Sequence, residues 1–144
     1  MKKILILTFG AIAIFSSCKK KDDTPATCEV SVAGIAGNYK LTKIEAVAAG
    51  SATDVTSSLI DPCERDDIFQ FNSNKSLTYQ DAGTACSPSS SGSGTWDVTG
   101  GKLVVTHSGN GPDIVSGSVT NNCTNMVVDD SFGGATFRYT FTKQ

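Results

Sequence analysis

Residues 135–142 alternate apolar and polar side chains without a break: Ala135, Phe137, Tyr139 and Phe141 against Thr136, Arg138, Thr140 and Thr142. A side-chain period of two belongs to an extended chain, so the run is a strand with one buried and one wetted face. Phe69 and Phe71 alternate in the same way with Ile68 and Gln70, and Leu77 and Tyr79 with Thr78 and Gln80. Short runs rich in β-branched and aromatic residues, bounded by Gly, Asn, Asp and Ser, predict eight strands at 39–46, 67–72, 76–80, 94–98, 102–107, 114–120, 125–129 and 135–142. No comparable span has helical periodicity. Short links favour pairing of neighbours, hence a meander, and closing eight strands on themselves removes both exposed edges. The predicted fold is all-β: an eight-stranded antiparallel up-and-down barrel.

The connections fall into two classes. Residues 72–75, 99–101 and 121–124 read as tight turns, whereas 47–66, 81–93, 108–113 and 130–134 are longer or looser. The classes alternate along the chain, so a meander collects the longer loops at one rim, a mouth, and the tight turns at the other. The first long loop, with Ala46 to Ala49 and Leu59-Ile60 among serines and threonines, is apolar enough to fold over that mouth as a lid. Cys63 precedes the second strand and Cys86 follows the third, so a symmetric hairpin sets them opposite each other at the mouth. That leaves Cys28 for Cys123, and both lie at the tight end. Two bridges of this kind suit an oxidising compartment.

Export is signalled at the start of the chain. Met1-Lys2-Lys3 is basic, residues 4–15 are apolar, and Ser16-Ser17 are small residues before Cys18. The apolar run falls short of the roughly 20 residues that cross a bilayer. The segment resembles the signal of a bacterial lipoprotein, although Phe15 stands where that family usually has a small aliphatic residue. The resemblance implies that residues 1–17 are cleaved. Cys18 would then carry a diacylglyceryl thioether and an acylated amine such as palmitate, fixing the chain to the outer membrane, on its periplasmic face or at the cell surface. Lys21-Asp22-Asp23 resembles the short export tag of surface lipoproteins of the Bacteroidetes. Residues 18–34, charged and then small, read as a flexible tether, and 35–144 as the folded domain.

Twelve basic residues face fourteen acidic ones, and losing Lys2 and Lys3 with the leader leaves a net charge of about −4, which disfavours nucleic acid as a partner. Lys19 to Lys21 are neutralised at once by Asp22-Asp23. No cysteine pair has the Cys-x-x-Cys spacing and His107 is the one histidine, so no zinc site is expected. The serines of 87–93 lie in loop composition without a nucleophile elbow, and no catalytic triad is indicated; the chain is not read as an enzyme and no cofactor is expected. Glu64, Asp66 and Asp67, with Asp129-Asp130, read as a solvated acidic rim, with calcium as the alternative.

Several stretches together resemble the lipocalin-like lipoprotein domains of the Bacteroidetes, over about residues 35–143. They are Gly37-Asn38-Tyr39-Lys40-Leu41-Thr42, Cys63-Glu64-Arg65-Asp66-Asp67 with Phe71-Asn72-Ser73-Asn74, Asp81-Ala82-Gly83, Gly94-Thr95-Trp96 and Leu103-Val104-Val105. Tyr39 stands where those domains have tryptophan, and the resemblance implies Arg138 as the cation covering it. The loop-rich mouth and the inward aromatic side chains are read as a site for a small apolar or amphiphilic ligand. Tyr39, Phe69, Phe71, Tyr79, Trp96, Phe137, Tyr139 and Phe141 would line that cavity or simply fill it. If they fill it, the alternative is a monomeric surface scaffold whose loops meet a protein or a glycan.

Overall fold

The computed structural model describes residues 28–109 and 116–144, with Ser108 and Gly109 described by their backbone alone. The leader, Cys18, the acidic tag and the remainder of the segment to residue 27 lie outside the described residues, as does the start of the sixth predicted strand.

Nine strands follow one another: β1 (Gly37–Ala48), β2 (Ser51–Asp54), β3 (Ile68–Phe71), β4 (Ser76–Gln80), β5 (Gly92–Thr99), β6 (Lys102–Gly109), β7 (Gly117–Asn121), β8 (Asn125–Phe132) and β9 (Ala135–Lys143). Every strand from β3 to β8 pairs antiparallel with the next, and β1 closes the ring by pairing with both β3 and β9. This is the expected eight-stranded barrel. Thr42 is an extra residue between the Leu41–Phe141 and Lys43–Thr140 pairs, and the bulge lets Leu41 and Ile44, three apart, both face inward.

The ninth strand corrects the expectation of an open loop over 47–66. Ala49 and Gly50 both take positive φ, 47° and 81°, and fold β2 back along the outer end of β1. Every residue of β2 is exposed, so it carries no alternation by which it could have been read. A short helix α2 (Thr56–Leu59) and a 3-10 turn (Pro62–Glu64) follow. Val55 N donates to Ile44 O at 2.9 Å and Ile44 N to Thr56 Oγ1 at 2.8 Å, which holds this segment against β1. Ile60 is thereby buried in the core while neighbouring Leu59 stays exposed.

Residues 130–134 are also tighter than expected. Strands β8 and β9 continue to a two-residue turn at Gly133-Gly134, with φ of 61° and 84°, angles that suit the right-handed twist of a hairpin and that glycine adopts without a Cβ penalty. The turns after β3, β5 and β7 gather at the opposite end, as the alternation of loop classes predicts.

That opposite end is closed by residues of the segment expected to be a flexible tether. Cys28 is bonded to Cys123, with Cα atoms 4.9 Å apart. Ser31 caps helix α1 (Val32–Ile35), its Oγ accepting from Gly34 N at 3.1 Å, and Val30, Val32 and fully buried Ile35 pack on the core. Tyr39 donates its hydroxyl to Ile35 O at 2.7 Å, and Asn121 Nδ2 donates to Gly34 O at 3.0 Å. The bridge and three apolar side chains pin 28–34, so the packed unit begins seven residues before the expected boundary at 35.

Candidate functional site: the open end of the barrel

The eight aromatic residues singled out in the sequence all alternate onto the inner face, but they divide by depth. Tyr39, Phe69, Phe71, Tyr79, Trp96 and Phe141 are buried, and their rings touch: Phe69–Tyr79 at 4.6 Å between centroids, Phe71–Trp96 at 5.2 Å, Phe69–Phe141 at 5.3 Å and Tyr39–Phe71 at 5.7 Å. Edge-on and tilted pairs of this kind add about 0.5–1.5 kcal/mol each beyond the area they bury. Leu77, Leu103, Val119, Met126 and Val128 complete the cluster, so this part of the interior is packed with side chains. Trp96, near the closed end, is fixed by its indole N–H to Asn72 O at 3.0 Å.

Phe137 and Tyr139 differ. They lie on β9 toward the open end, pack against the core and remain partly exposed. Register sets Phe137 beside Ala46 of β1 and Asp130 of β8, and Tyr139 beside Ile44 and Val128. The inner surface around these rings therefore comprises two half-buried aromatics, three aliphatic side chains and one carboxylate.

Beside this vestibule the loop over residues 81–91 is held by acids. Asp67 is 1% exposed, and it accepts from Tyr79 Oη at 2.5 Å, Ser90 Oγ at 2.8 Å and Ala82 N at 2.9 Å. Asp81 accepts from Cys86 N at 3.1 Å and Ser90 N at 3.3 Å, and Asp66 from Thr84 N at 2.9 Å. Burial, together with the hydrogen bond to Asp67, pushes the Tyr79 phenol far above its ordinary range. The Ser89 hydroxyl and the backbone N–H groups of Cys86 and Ser90 hold the Asp81 carboxyl below the usual carboxylate range. Cys63 and Cys86 are bonded with Cα atoms 5.3 Å apart, which fastens the same loop to the segment before β3. Both predicted disulfides are thus present, one at each end of the barrel.

The acidic rim accordingly serves as a set of loop clamps. Asp67, Asp81 and Cys86 bring ligand-type atoms within 4.8 Å of one another, but Cys86 is in the disulfide and both carboxylates already accept protein hydrogen bonds. Glu64 accepts from Asp61 N at 3.2 Å, and Asp129 binds Arg138 through two contacts of 2.8 and 2.9 Å. Ser90, the buried member of the serine run, donates to Asp67 and not to a histidine. His107 faces inward in phase with Leu103 and Val105, across from Gly94.

The cation expected over Tyr39 is a different residue. Arg138 lies on the outer face with Asp129, because it alternates with inward Phe137 and Tyr139. Lys143, near the end of β9, instead carries its ammonium 5.7 Å from the Tyr39 ring centre and donates to Ala36 O at 3.3 Å. Nothing in the sequence marks Lys143 for this role, because its pairing with Tyr39 across β1 and β9 shows only in the register.

Residues 35–128, well over half of the chain, match the model of a family described as a lipocalin-like domain. No curated protein and no solved structure matches the chain. The matched span runs from the plug at the closed end through the mouth loops to mid-β8, and β9 then completes the ring. By this match and by its closed antiparallel barrel, the chain belongs to the lipocalin-like domain family.

Proposed function

We propose that this chain is an outer-membrane lipoprotein of the Bacteroidetes type, anchored by lipid on Cys18, whose barrel takes a small apolar or amphiphilic molecule at its open end. The observation that carries the binding reading is the depth division of the aromatics: six are spent on a packed interior, while Phe137 and Tyr139 stay half-buried at the mouth beside Ile44 and Ala46. A small ligand resting there removes apolar surface from water at about 25 cal/mol per Å². The anchor reading is supported by the leader motif and by the entry of the chain at the closed end, where Cys28 is bonded to Cys123; an anchor on that side leaves the mouth facing away from the membrane.

The same packed cluster favours a second reading, a filled scaffold whose mouth loops meet a protein or a glycan. Native mass spectrometry of protein taken from cell envelopes, followed by titration of delipidated protein with lipids and small amphiphiles, separates them. A co-purifying small molecule and saturable one-to-one binding weakened by Phe137→Ala and Tyr139→Ala are expected. If nothing co-purifies and nothing in the panel saturates, the scaffold reading replaces the carrier.

A further inference from the structure

We infer that the molecule taken at the open end carries a cationic amine, received by Asp130. The inference rests on the binding reading above and adds the chemical class of its ligand. Strand β8 alternates Val128 inward, Asp129 outward to Arg138, and Asp130 inward. Register sets Asp130 opposite Phe137, one step above the Val128–Tyr139 pair. A carboxylate thus stands on the inner face among the two aromatic rings of the mouth. Among the described residues no hydrogen bond or ion pair engages it, whereas Asp54, Asp66, Asp67, Asp81, Asp97 and Asp129 each accept from a protein donor.

The carboxylate is also reachable from the side. β7 begins only at Gly117 and pairs with β6 at two positions, Lys102–Ser118 and Leu103–Gly117, although β6 continues to Gly109 and β8 to Phe132. Beyond those pairs Ser116 Oγ accepts from Val105 N at 3.0 Å, and a cleft of ≈ 310 Å³ on this side of the barrel is lined by the outward Lys102, Val104, Ser118 and Asp129 together with Asp130. A Cβ on Gly117 would fall on the β8 backbone at Asp129, so glycine is what lets β7 lie this close to β8. Lys102 shares the outer rung with Ser118 and Asp129 and alternates with inward Leu103. Among the described residues of β6 and β8, the inward ionisable side chains at this end are Asp130 and His107.

A carboxylate beside aromatic faces is the chemistry that recognises an ammonium group: a charge-assisted N–H···O bond to the acid, with the ring faces attracting the same cation. An anionic head group meets repulsion there. A neutral ligand covering the site strips water from Asp130 without replacing it, which is unfavourable.

Three probes of one chain length, octylammonium, octanol and octanoate, titrated calorimetrically into the delipidated protein, test the assignment. Octylammonium is expected to bind roughly tenfold or more tightly than octanol, with octanoate weakest. Asp130→Asn should reduce that preference to within about a factor of three. Asp129→Asn, which removes the same charge from the outer face, should leave the preference in place and so controls for net charge; circular dichroism checks that both variants fold. Equal binding of octanol and octylammonium by the wild type, or a preference that survives Asp130→Asn, overturns the amine assignment while leaving open-end binding intact. Failure of all three probes to saturate overturns both.

Discussion

Tyr79 donates a hydrogen bond from its hydroxyl to Asp67 Oδ2 at 2.5 Å, with both side chains closed off from water, and this contact joins the inner face of β4 to the residue that leads into β3. Ser90 Oγ donates to the same oxygen at 2.8 Å, so one carboxylate organises two strands and the mouth loop. Tyr79→Phe leaves that buried oxygen a donor short and should destabilise the fold by about 1–3 kcal/mol. Urea unfolding should show a lower midpoint at an unchanged slope. Asp67→Ala, which orphans three donors at once, should cost more than Tyr79→Phe; a Tyr79→Phe protein as stable as the wild type would remove the network from the account.

Burial raises the phenol of Tyr39, and burial with the Asp67 hydrogen bond raises that of Tyr79. The neutral phenols are therefore favoured in the folded state. Their contribution to stability is fully present below the unfolded tyrosine value of about 10 and is lost as pH rises beyond it. In an absorbance titration, both should ionise only together with unfolding, in a cooperative step above pH about 10. Smooth ionisation of all three tyrosines near their ordinary value, with the barrel still folded, would contradict their burial.

The two disulfides should differ in weight. Cys28–Cys123 spans 95 residues and Cys63–Cys86 spans 23. Restriction of the unfolded chain gives about 4.7 and about 3.4 kcal/mol respectively in the chain-entropy model. Removing the first pair by Cys→Ala should lower the urea midpoint more and loosen α1. Removing the second should raise hydrogen exchange within 81–91 while sparing the closed end. The opposite ranking would mean that the longer closure does not dominate.

The parts of the fold that could be read from the sequence were those whose side chains alternate. β9 shows it best, with Phe137, Tyr139 and Phe141 inward and Arg138 outward. β2 was missed because Ser51 to Asp54 bury nothing, so its pairing to β1 leaves no hydrophobic trace. Residues 28–34 were misread because their order comes from a bond to Cys123 and from three apolar side chains too few to make a period. The disulfides followed from strand count, since topology alone brings each pair to one end. Which aromatics fill and which line, and which cation meets Tyr39, depend on depth and register. Lys143 and Asp130 could be identified only once the ring was closed.

The proposed anchor makes Cys18 the one residue whose loss should change location without changing the fold. Cys18→Ala should move the protein from membrane to soluble fractions and abolish the mass added by acylation, with an unaltered melting profile. A variant that stays wholly with membranes and keeps its mass would rule out lipid attachment at this cysteine.

Binding at the mouth above a filled interior can be read most directly from amide and indole resonances. Trp96 is the single tryptophan, and its indole N–H is tied to Asn72 O on the closed side of the cluster. In a ¹⁵N-correlated spectrum titrated with octylammonium, the amides of Ile44, Ala46, Asp130, Phe137 and Tyr139 should shift and saturate together, while the Trp96 indole signal stays in place. A saturating shift of the Trp96 indole with the mouth residues unmoved would place the ligand in the packed interior and would contradict binding at the mouth.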